Sequence, residues 1–353
     1  MTRILFAGAG TAGHIEPAWA VSQAWSAKHP EDEVAFLGTA NGQEVELIPN
    51  RGGTLFLIPK VTAPRAINLR TLAFPIQLLN SAIKTISIVK DFDLVVGFGG
   101  YVSASAYLAA AALRKPIVIH EQNAKVGIAN KLGNRFTSEV LVAYPEAIKE
   151  FGKGVIVGNP LKAEIVSAAV AAASDWASTR ANAKRSLGVE GPLVLVLGGS
   201  SGSTYINEVI GDTDFQGCTV IHSLGRANLG EKNKSISGNF IYRPVSYIED
   251  MATALLASDL VISRSGAVAT SEIAALGKYA LFVPLPIGNG EQALNATELV
   301  KAGRAELRSQ KDFNSKWLSQ NLARMLGLGK DEAFGTNLNA TQLILSSMER
   351  AIR

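Results

Sequence analysis

The sequence predicts an α/β fold made of two parallel-sheet halves, and three observations predict it. Short apolar runs of strand length alternate with helical stretches along the chain. Glycine loops at residues 8–14 and 198–203 each follow such a run and lead into a helix. The turn Gly158-Asn159-Pro160 separates two stretches that open alike, with strand, glycine loop and helix. Composition agrees. Of 353 residues, 47% are hydrophobic and 18% charged, and 33 are glycine, which suits buried parallel strands better than a disordered or coiled chain.

In the first half, Arg3 to Ala7 reads as a strand, and the helix after its glycine loop runs from about Pro17 to Lys28, with Pro17 in the first turn. Val34 to Leu37 and Leu55 to Ile58 are the next strands. Asp93 to Val96 ends in Gly97-Phe98-Gly99-Gly100-Tyr101, before a helix over about Ser103 to Leu113. Ile117 to Ile119 is a buried strand followed by His120-Glu121-Gln122-Asn123, and Val140 to Ala143 and Val155 to Val157 complete this half. Domains of residues 1–157 and 158–337 follow, with a C-terminal helix at about 338–353 placed to pack back on the first.

The second half starts with Ala-rich helix over residues 161–187. Its strands are Leu193 to Leu197, Thr219 to His222, Phe240 to Tyr242, Leu260 to Ile262, Ala280 to Val283 and a weak one at Ala305 to Leu307. Ile248-Glu249-Asp250-Met251 opens a helix. After Arg264-Ser265-Gly266 a further helix begins, with Thr270 and Ser271 as cap-like residues, Glu272 in the first turn and Gly277 at the end. A glycine loop then leads into a helix through Glu291, Gln292 and Asn295. Helices over about Phe313 to Leu326 and Ala340 to Ile352 close the chain.

Several function classes recede. The formal charge is only +4, and no basic block interleaves with aromatics, so nucleic acid is a poor partner. Cys218 is the sole cysteine, which excludes an intramolecular disulfide. Ile4-Leu5-Phe6-Ala7 is too short for a signal-peptide core, and no apolar run reaches the ~18 residues of a membrane span. A soluble protein, or one peripheral to a membrane, is expected. Residues 60–90 mix Lys60, Arg65, Arg70, Lys84 and Lys90 with Leu69, Leu72, Phe74, Ile76, Leu79, Ile83 and Ile86. They fit either a core-facing helix with a solvated face or a basic apolar patch resting on a membrane.

The chemistry concentrates where loops leave the carboxyl ends of strands and open helices, since free amides there favour an anion. Gly8, Gly10 and Gly13 form a GxGxxG, yet the next strand ends Phe36-Leu37-Gly38-Thr39 without the acid that a dinucleotide ribose requires. His14 closes that loop, as either a structural hydrogen bonder or a general base; an unperturbed imidazole, pKa near ~6.5, accepts a proton at neutral pH. The loop at 198–203 lacks the Walker lysine and suits a diphosphate. Glu272 suits sugar hydroxyls, so the pocket predicted is one for a sugar nucleotide. At least one of His120, Glu121, Gln122 and Asn123 is expected to face the cleft. Asp91/Asp93 and Asp212/Asp214 have metal–diphosphate spacing but lie at element boundaries, and no His or Cys pair has zinc spacing; no metal or other cofactor is expected.

In order, GAGTAGHIEPAWA, GFGGYVSASAYLAA, PIVIHEQNAKVGIANK, VGNPLK, LGGSSGS, SRSGAVATSEIAALG and VPLPIGNGEQALNA closely resemble the MurG family of peptidoglycan N-acetylglucosaminyltransferases, from Ile4 to the last helix. The resemblance implies a glycosyltransferase B fold, two facing Rossmann-like domains with a cleft between them. It implies inverting transfer of N-acetylglucosamine from UDP-N-acetylglucosamine to the 4-hydroxyl of the muramoyl sugar of lipid I, forming lipid II. Carried over by motif, His14 is the base. The donor set is Thr11, Gly13, Asn123, Lys162, Ser200, the Ile248 backbone, Arg264, Ala267, Val268, Glu272 and Gln292. The acceptor set is Gly10, Thr11, Gly100, Tyr101 and Gln122. Residues 65–86 would rest on the cytoplasmic face of the cell membrane, making the protein peripheral there, with cell-wall and division proteins as possible partners. Ala9 and Ala12 stand where the family carries glycine, and Lys162 where it carries arginine. A UDP-N-acetylglucosamine epimerase and a catalytically weakened membrane-surface scaffold are the alternatives on the same fold.

Overall fold

A computed structural model describes the chain apart from residues 62–68, 200, 226–239, 287–289 and 330–337; the side chains of residues 69–74 also fall outside the description. The chain divides into two compact units, Met1–Lys162 with Asn337–Arg353, and Ala163–Thr336.

The first unit carries strands β1 (Arg3–Ala7), β2 (Glu33–Gly38), β3 (Thr54–Leu57), β4 (Leu94–Gly97), β5 (Ile117–Glu121), β6 (Glu139–Val142) and β7 (Val155–Ile156), in spatial order β3-β2-β1-β4-β5-β6-β7. The second carries β8 (Leu193–Leu197), β9 (Thr219–Ser223), β10 (Ile241–Val245), β11 (Leu260–Ser263), β12 (Ala280–Phe282) and β13 (Ala305–Leu307), in order β10-β9-β8-β11-β12-β13. The central pairs are parallel, β1 with β2 and β4, and β8 with β9 and β11. Each unit therefore has the doubly wound order, and its strand order reverses between β1 and β4 or between β8 and β11. Ligands bind such sheets outside the carboxyl ends of the strands at that reversal.

The pleat assigns the cores. Along β1, Ile4 and Phe6 face one way and Leu5 and Ala7 the other. Leu5 and Ala7 pack with Val95, Val102, Tyr107 and Ile119. Ile4 and Phe6 pack with Phe36, Val96 and Phe98, and with Ile344, Leu345 and Met348 of the C-terminal helix Ala340–Ile352. That helix thus belongs to the first unit although the second unit separates it in sequence. Each such side chain contributes roughly 1.5–3 kcal/mol on burial.

Element starts differ from the sequence expectation. The first helix is Ala12–Lys28, five residues longer than expected, so Pro17 lies inside it and His14 in its first turn. Proline has no N–H for the carbonyl four residues back, which is that of Gly13; Gln122 Nε2 donates to that carbonyl instead, at 3.2 Å. The helix after β11 is Ala267–Ala275 with Gly266 as N-cap, so Thr270 and Ser271 do not cap it and Glu272 sits in its second turn. The helix after β4 starts at Gly100, and β5 extends through Glu121. A helix at Glu44–Asn50 has no counterpart in the sequence reading. The long helix Leu69–Val89 buries Ser81 and Thr85 and exposes Ile76, Leu79 and Ile83 at 64%, 58% and 56%. Its outer face thus carries large apolar side chains, while Ala82 and Val89 are buried and Ile86 and Ile88 pack against the core.

Candidate active site

In the first unit the loops after β1, β4 and β5 converge on His14. Gly10 takes φ +100°, a left-handed conformation that glycine accepts without strain, and Thr11 precedes the helix without capping it by its side chain. The His14 ring lies against the backbone of the next loop: Cβ atoms added at Gly99 and Gly100 would stand 3.4 Å from its Cε1 and 3.6 Å from its Cδ2. His14 Nδ1 is 2.9 Å from the Phe98 carbonyl, and an N–H at Nδ1 donates to it. That tautomer leaves a lone pair on Nε2. Burial lowers the pKa of His14 below the ordinary 6.5, against the raising effects of Glu121, the Phe98 carbonyl bond and Glu44. The imidazole is therefore neutral at pH 7, the form a general base needs.

The four residues His120 to Asn123 divide their work. His120 Nε2 donates to the Gly158 carbonyl at 2.9 Å, and burial pushes its pKa down to about 4. The Glu121 carboxylate accepts from the Asn123 and Gly127 amides, both at 3.0 Å, and from Asn130 Nδ2 at 2.9 Å, which fixes the following loop. Gln122 Nε2 donates to the Phe98 carbonyl at 2.7 Å and lies 3.0 Å from His14 Nδ1. Gln122 is buried, so its amide backs His14 from within the protein. Asn123 is the member left partly exposed.

Tyr101 stands in the first turn of its helix, its hydroxyl 3.6 Å from where a Gly10 Cβ would lie, and Lys60 Nζ sits 5.7 Å from its ring centre. Thr11 and Gly13 are exposed at the helix mouth. Lys162 Nζ pairs with Glu16 at 3.6 Å, and Arg51 pairs with the same carboxylate at 2.7 Å. Ala9 is buried among Val102, Ala106 and Val126, so its methyl packs in the core and is not at the loop's open face.

In the second unit the loop after β8 turns through Gly199 and Gly202, at φ +85° and +76°. The Gly202 amide donates back to the Gly199 carbonyl at 2.9 Å, and a Cβ on Gly198 would come 2.4 Å from the Ser203 amide nitrogen. Ser203 caps the helix Thr204–Gly211. Ser200, the expected phosphate contact, lies outside the described residues. The buried Arg264 guanidinium donates to the Val283 and Pro284 carbonyls at 2.9 and 3.0 Å, to Ser203 Oγ at 2.8 Å and to Gln310 Oε1 at 3.0 Å. It ties the loops after β8 and β12 together and brings a positive charge to their junction.

No side chain caps the Ala267 helix start, where Ala267 and Val268 lie, and Ser265 Oγ is buried there without a partner among the described residues. Asn295 Nδ2 donates to the Ser265 carbonyl at 3.2 Å, holding that loop from the next helix. Glu272 is buried in the second turn. Gln292 Oε1 accepts from the Leu285 amide at 2.9 Å. Ile248 is buried just before Asp250, whose carboxylate caps the helix Met251–Ala257.

Within the first unit His14, Gly10, Thr11, Gly13, Gly100, Tyr101 and Gln122 thus cluster; within the second Arg264, Ala267 and Val268 do. Sequence reasoning missed Gln43 and Glu44, which hold the first glycine loop from behind. The signal was the run Gly38-Thr39-Ala40-Asn41-Gly42-Gln43-Glu44, in which two glycines flank polar residues directly after a strand. Among the described residues no cluster of three or more His, Cys, Asp or Glu side chains could hold a metal ion.

Two doubly wound units, each with a glycine loop at its strand-order reversal, make up the glycosyltransferase B fold. The sequence matches the glycosyltransferase family 28 N-terminal domain over residues 4–142 and the family 28 C-terminal domain over residues 193–342. It is 41% identical over 336 residues to the UDP-N-acetylglucosamine–N-acetylmuramyl-(pentapeptide) pyrophosphoryl-undecaprenol N-acetylglucosamine transferase of Corynebacterium diphtheriae, covering 92% of this chain and 88% of that one. The Streptomyces coelicolor protein of the same name is 39% identical over 331 residues, 92% and 89% of the two chains. The crystal structure of Acinetobacter baumannii MurG superposes with a TM-score of 0.72 at 27% identity, over 99% of this chain and all of that one. A UDP-GlcNAc 2-epimerase from Neisseria meningitidis, at TM-score 0.62 and 14% identity, shares the fold alone. The chain belongs to glycosyltransferase family 28 and, within it, to the MurG transferases.

Proposed function

We infer that this protein moves N-acetylglucosamine from UDP-N-acetylglucosamine to the 4-hydroxyl of the muramoyl sugar of lipid I, with inversion, to form lipid II. Similarity to the named transferases across 92% of the chain carries this reading. His14 Nε2 takes the proton of the acceptor hydroxyl, whose oxygen bonds the anomeric carbon as the bond to UDP breaks. The bonding pair leaves with the diphosphate, and the proton stays on the imidazolium. The leaving group gains negative charge, which the uncapped helix start at Ala267 and the guanidinium behind the second glycine loop favour. In this reading Glu272 holds ribose hydroxyls, Gln292 the sugar and the Ile248 backbone the uracil, and the reaction needs no metal. Gly10, the exposed Thr11, Gly100 and Tyr101 receive the acceptor, with Gln122 behind His14, and the exposed Gly13 faces the donor.

No helix among the described residues is long and apolar enough to cross a membrane. The outward Ile76, Leu79 and Ile83, with Lys84 beside them, support a peripheral seat on the cytoplasmic membrane face, where the lipid acceptor is presented. The decisive test is transfer of labelled sugar from UDP-N-acetylglucosamine to a short-chain lipid I analogue, with and without a chelator. Equal transfer in both supports the metal-free reading. Donor binding without transfer would leave a scaffold, and epimer formation without acceptor would make it an epimerase.

A further inference from the structure

We propose that Glu44 is a positioning residue for the transfer reaction: its buried carboxylate is a built-in anion that fixes the first glycine loop, and with it His14. The proposal rests on His14 being the base.

Glu44 is 1% exposed, yet it is bonded on both oxygens. Oε2 accepts from the Gly10 amide at 2.9 Å, across 34 residues of chain, and Oε1 accepts from the Thr39 amide at 2.9 Å and from Thr39 Oγ1 at 3.3 Å. Beside it, Gln43 Oε1 accepts from the Ala12 amide at 3.0 Å. The Gly10 amide is the donor that a nucleotide phosphate would use in a dinucleotide-binding loop. Here a side chain already takes it. The acid missing from the end of β2 is therefore present seven residues past Leu37, and it faces backbone instead of a ribose.

The surrounding turn is shaped to this carboxylate. A Cβ on Gly42 would lie 2.0 Å from Oε2, and one on Gly38 would lie 2.4 Å from Glu44 Cγ. Any side chain at either position would displace the acid. A buried charge is costly, and it persists where several donors satisfy it. Of these donors, the Gly10 amide belongs to the loop that leads into the His14 helix, and the two of Thr39 tie that loop to the turn after β2.

Charge adds a second consequence. Glu44 and Glu121 both raise the proton affinity of His14. The Phe98 carbonyl and the Gln122 amide beside the ring are neutral, and the cation beside the Tyr101 loop is Lys60, 5.7 Å from the Tyr101 ring centre. Replacing Glu44 by a neutral residue moves the His14 titration to lower pH.

Glu44→Gln separates shape from chemistry, because an amide keeps the volume and turns one acceptor into a donor facing an N–H. The full chain is assayed with UDP-N-acetylglucosamine and a short-chain lipid I analogue, and His14 is titrated by NMR without substrate. The expected result is kcat lower by about 10–100-fold, the size of effect of a small misplacement. KM for UDP-N-acetylglucosamine stays unchanged, and the His14 titration shifts to lower pH. Unchanged kcat with an unmoved titration overturns the proposal, as does a loss confined to donor KM. Should E44Q not fold, Gln43→Leu removes the neighbouring bond to the Ala12 amide and leaves the Glu44 carboxylate in place; a lower kcat at constant donor KM supports the proposal and an unchanged kcat overturns it. Failure of the wild-type chain to transfer sugar would instead sink the transferase reading, and the substrate-free titration would still report on Glu44 and His14.

Discussion

The glycine loop of the first unit closes over the Glu44 carboxylate, whereas that of the second is tied to the Arg264 guanidinium. Both follow the innermost strand of a doubly wound sheet, and both open a helix. In the first, side chains from the next β/α unit take the Gly10 and Ala12 amides, and a histidine follows in the first turn. In the second, the backbone closes on itself from Gly202 to Gly199, and a cation lies behind it. Glycine spacing therefore says that backbone must turn tightly, and the buried charge behind the turn says what the turn is for. A negative charge beside the first loop raises the proton affinity of His14, and a positive charge behind the second favours an anionic ligand.

Four experiments test that contrast. His14→Ala removes the base and should lower turnover by roughly 10²–10⁴-fold while sparing UDP-N-acetylglucosamine binding measured by calorimetry. Unchanged turnover would break the assignment of the proton acceptor to the first loop. Arg264→Met leaves four protein acceptors without their donor and removes the cation behind the second loop. UDP affinity should fall by about 10–100-fold, since bonds to charged groups contribute ~1.5–3 kcal/mol, with the His14 titration unmoved. A shifted titration would mean that the two loops are not independent.

Gln292→Ala deletes a carboxamide assigned to the sugar and should cost about 1–3 kcal/mol in kcat/KM; a variant matching wild type would remove it from the donor set. The smallest effect lies in the pH profile of kcat. Protonating His14 abolishes the base, so turnover falls as pH drops through its folded pKa. Burial lowers that value from the ordinary 6.5, so the midpoint of the decline in kcat should lie on the acid side of a free imidazole's. A midpoint above 6.5 would exclude His14 as the group observed. Outside the contrast, Ile76→Ser with Ile83→Ser should weaken sedimentation with anionic vesicles several-fold and leave transfer to a soluble acceptor intact.

Strand positions were legible because buried parallel strands are short apolar runs bounded by glycine and polar turns: Leu193 to Leu197 was located to the residue. Helix starts were less legible. Thr270, Ser271 and Pro17 are residues that favour helix starts, but the helices begin upstream, at Ala267 and Ala12, where the N-cap residues Gly266 and Thr11 give no side-chain cap and the Ala12 amide is taken by Gln43 from the next β/α unit. The rule for finding a helix start from its capping residue therefore fails where the cap comes from elsewhere in the fold or where the N-cap is glycine. Glu44 was invisible for another reason. Its partners at Gly10 and Gly38–Thr39 meet only when β1 and β2 pair.

The sequence by itself determined two parallel-sheet units, the two glycine loops and the family, because each is written in residues close together along the chain. The tertiary structure alone decided what surrounds those loops. It turned His120 and Glu121 into internal braces, set Gln122 behind His14, placed Ala9 in the core and turned Ile76, Leu79 and Ile83 of Leu69–Val89 outward. The physical reason is range. Backbone conformation and apolar periodicity are local, but hydrogen bonds of buried polar groups join residues tens to more than a hundred positions apart, and only the packed fold selects which of them meet.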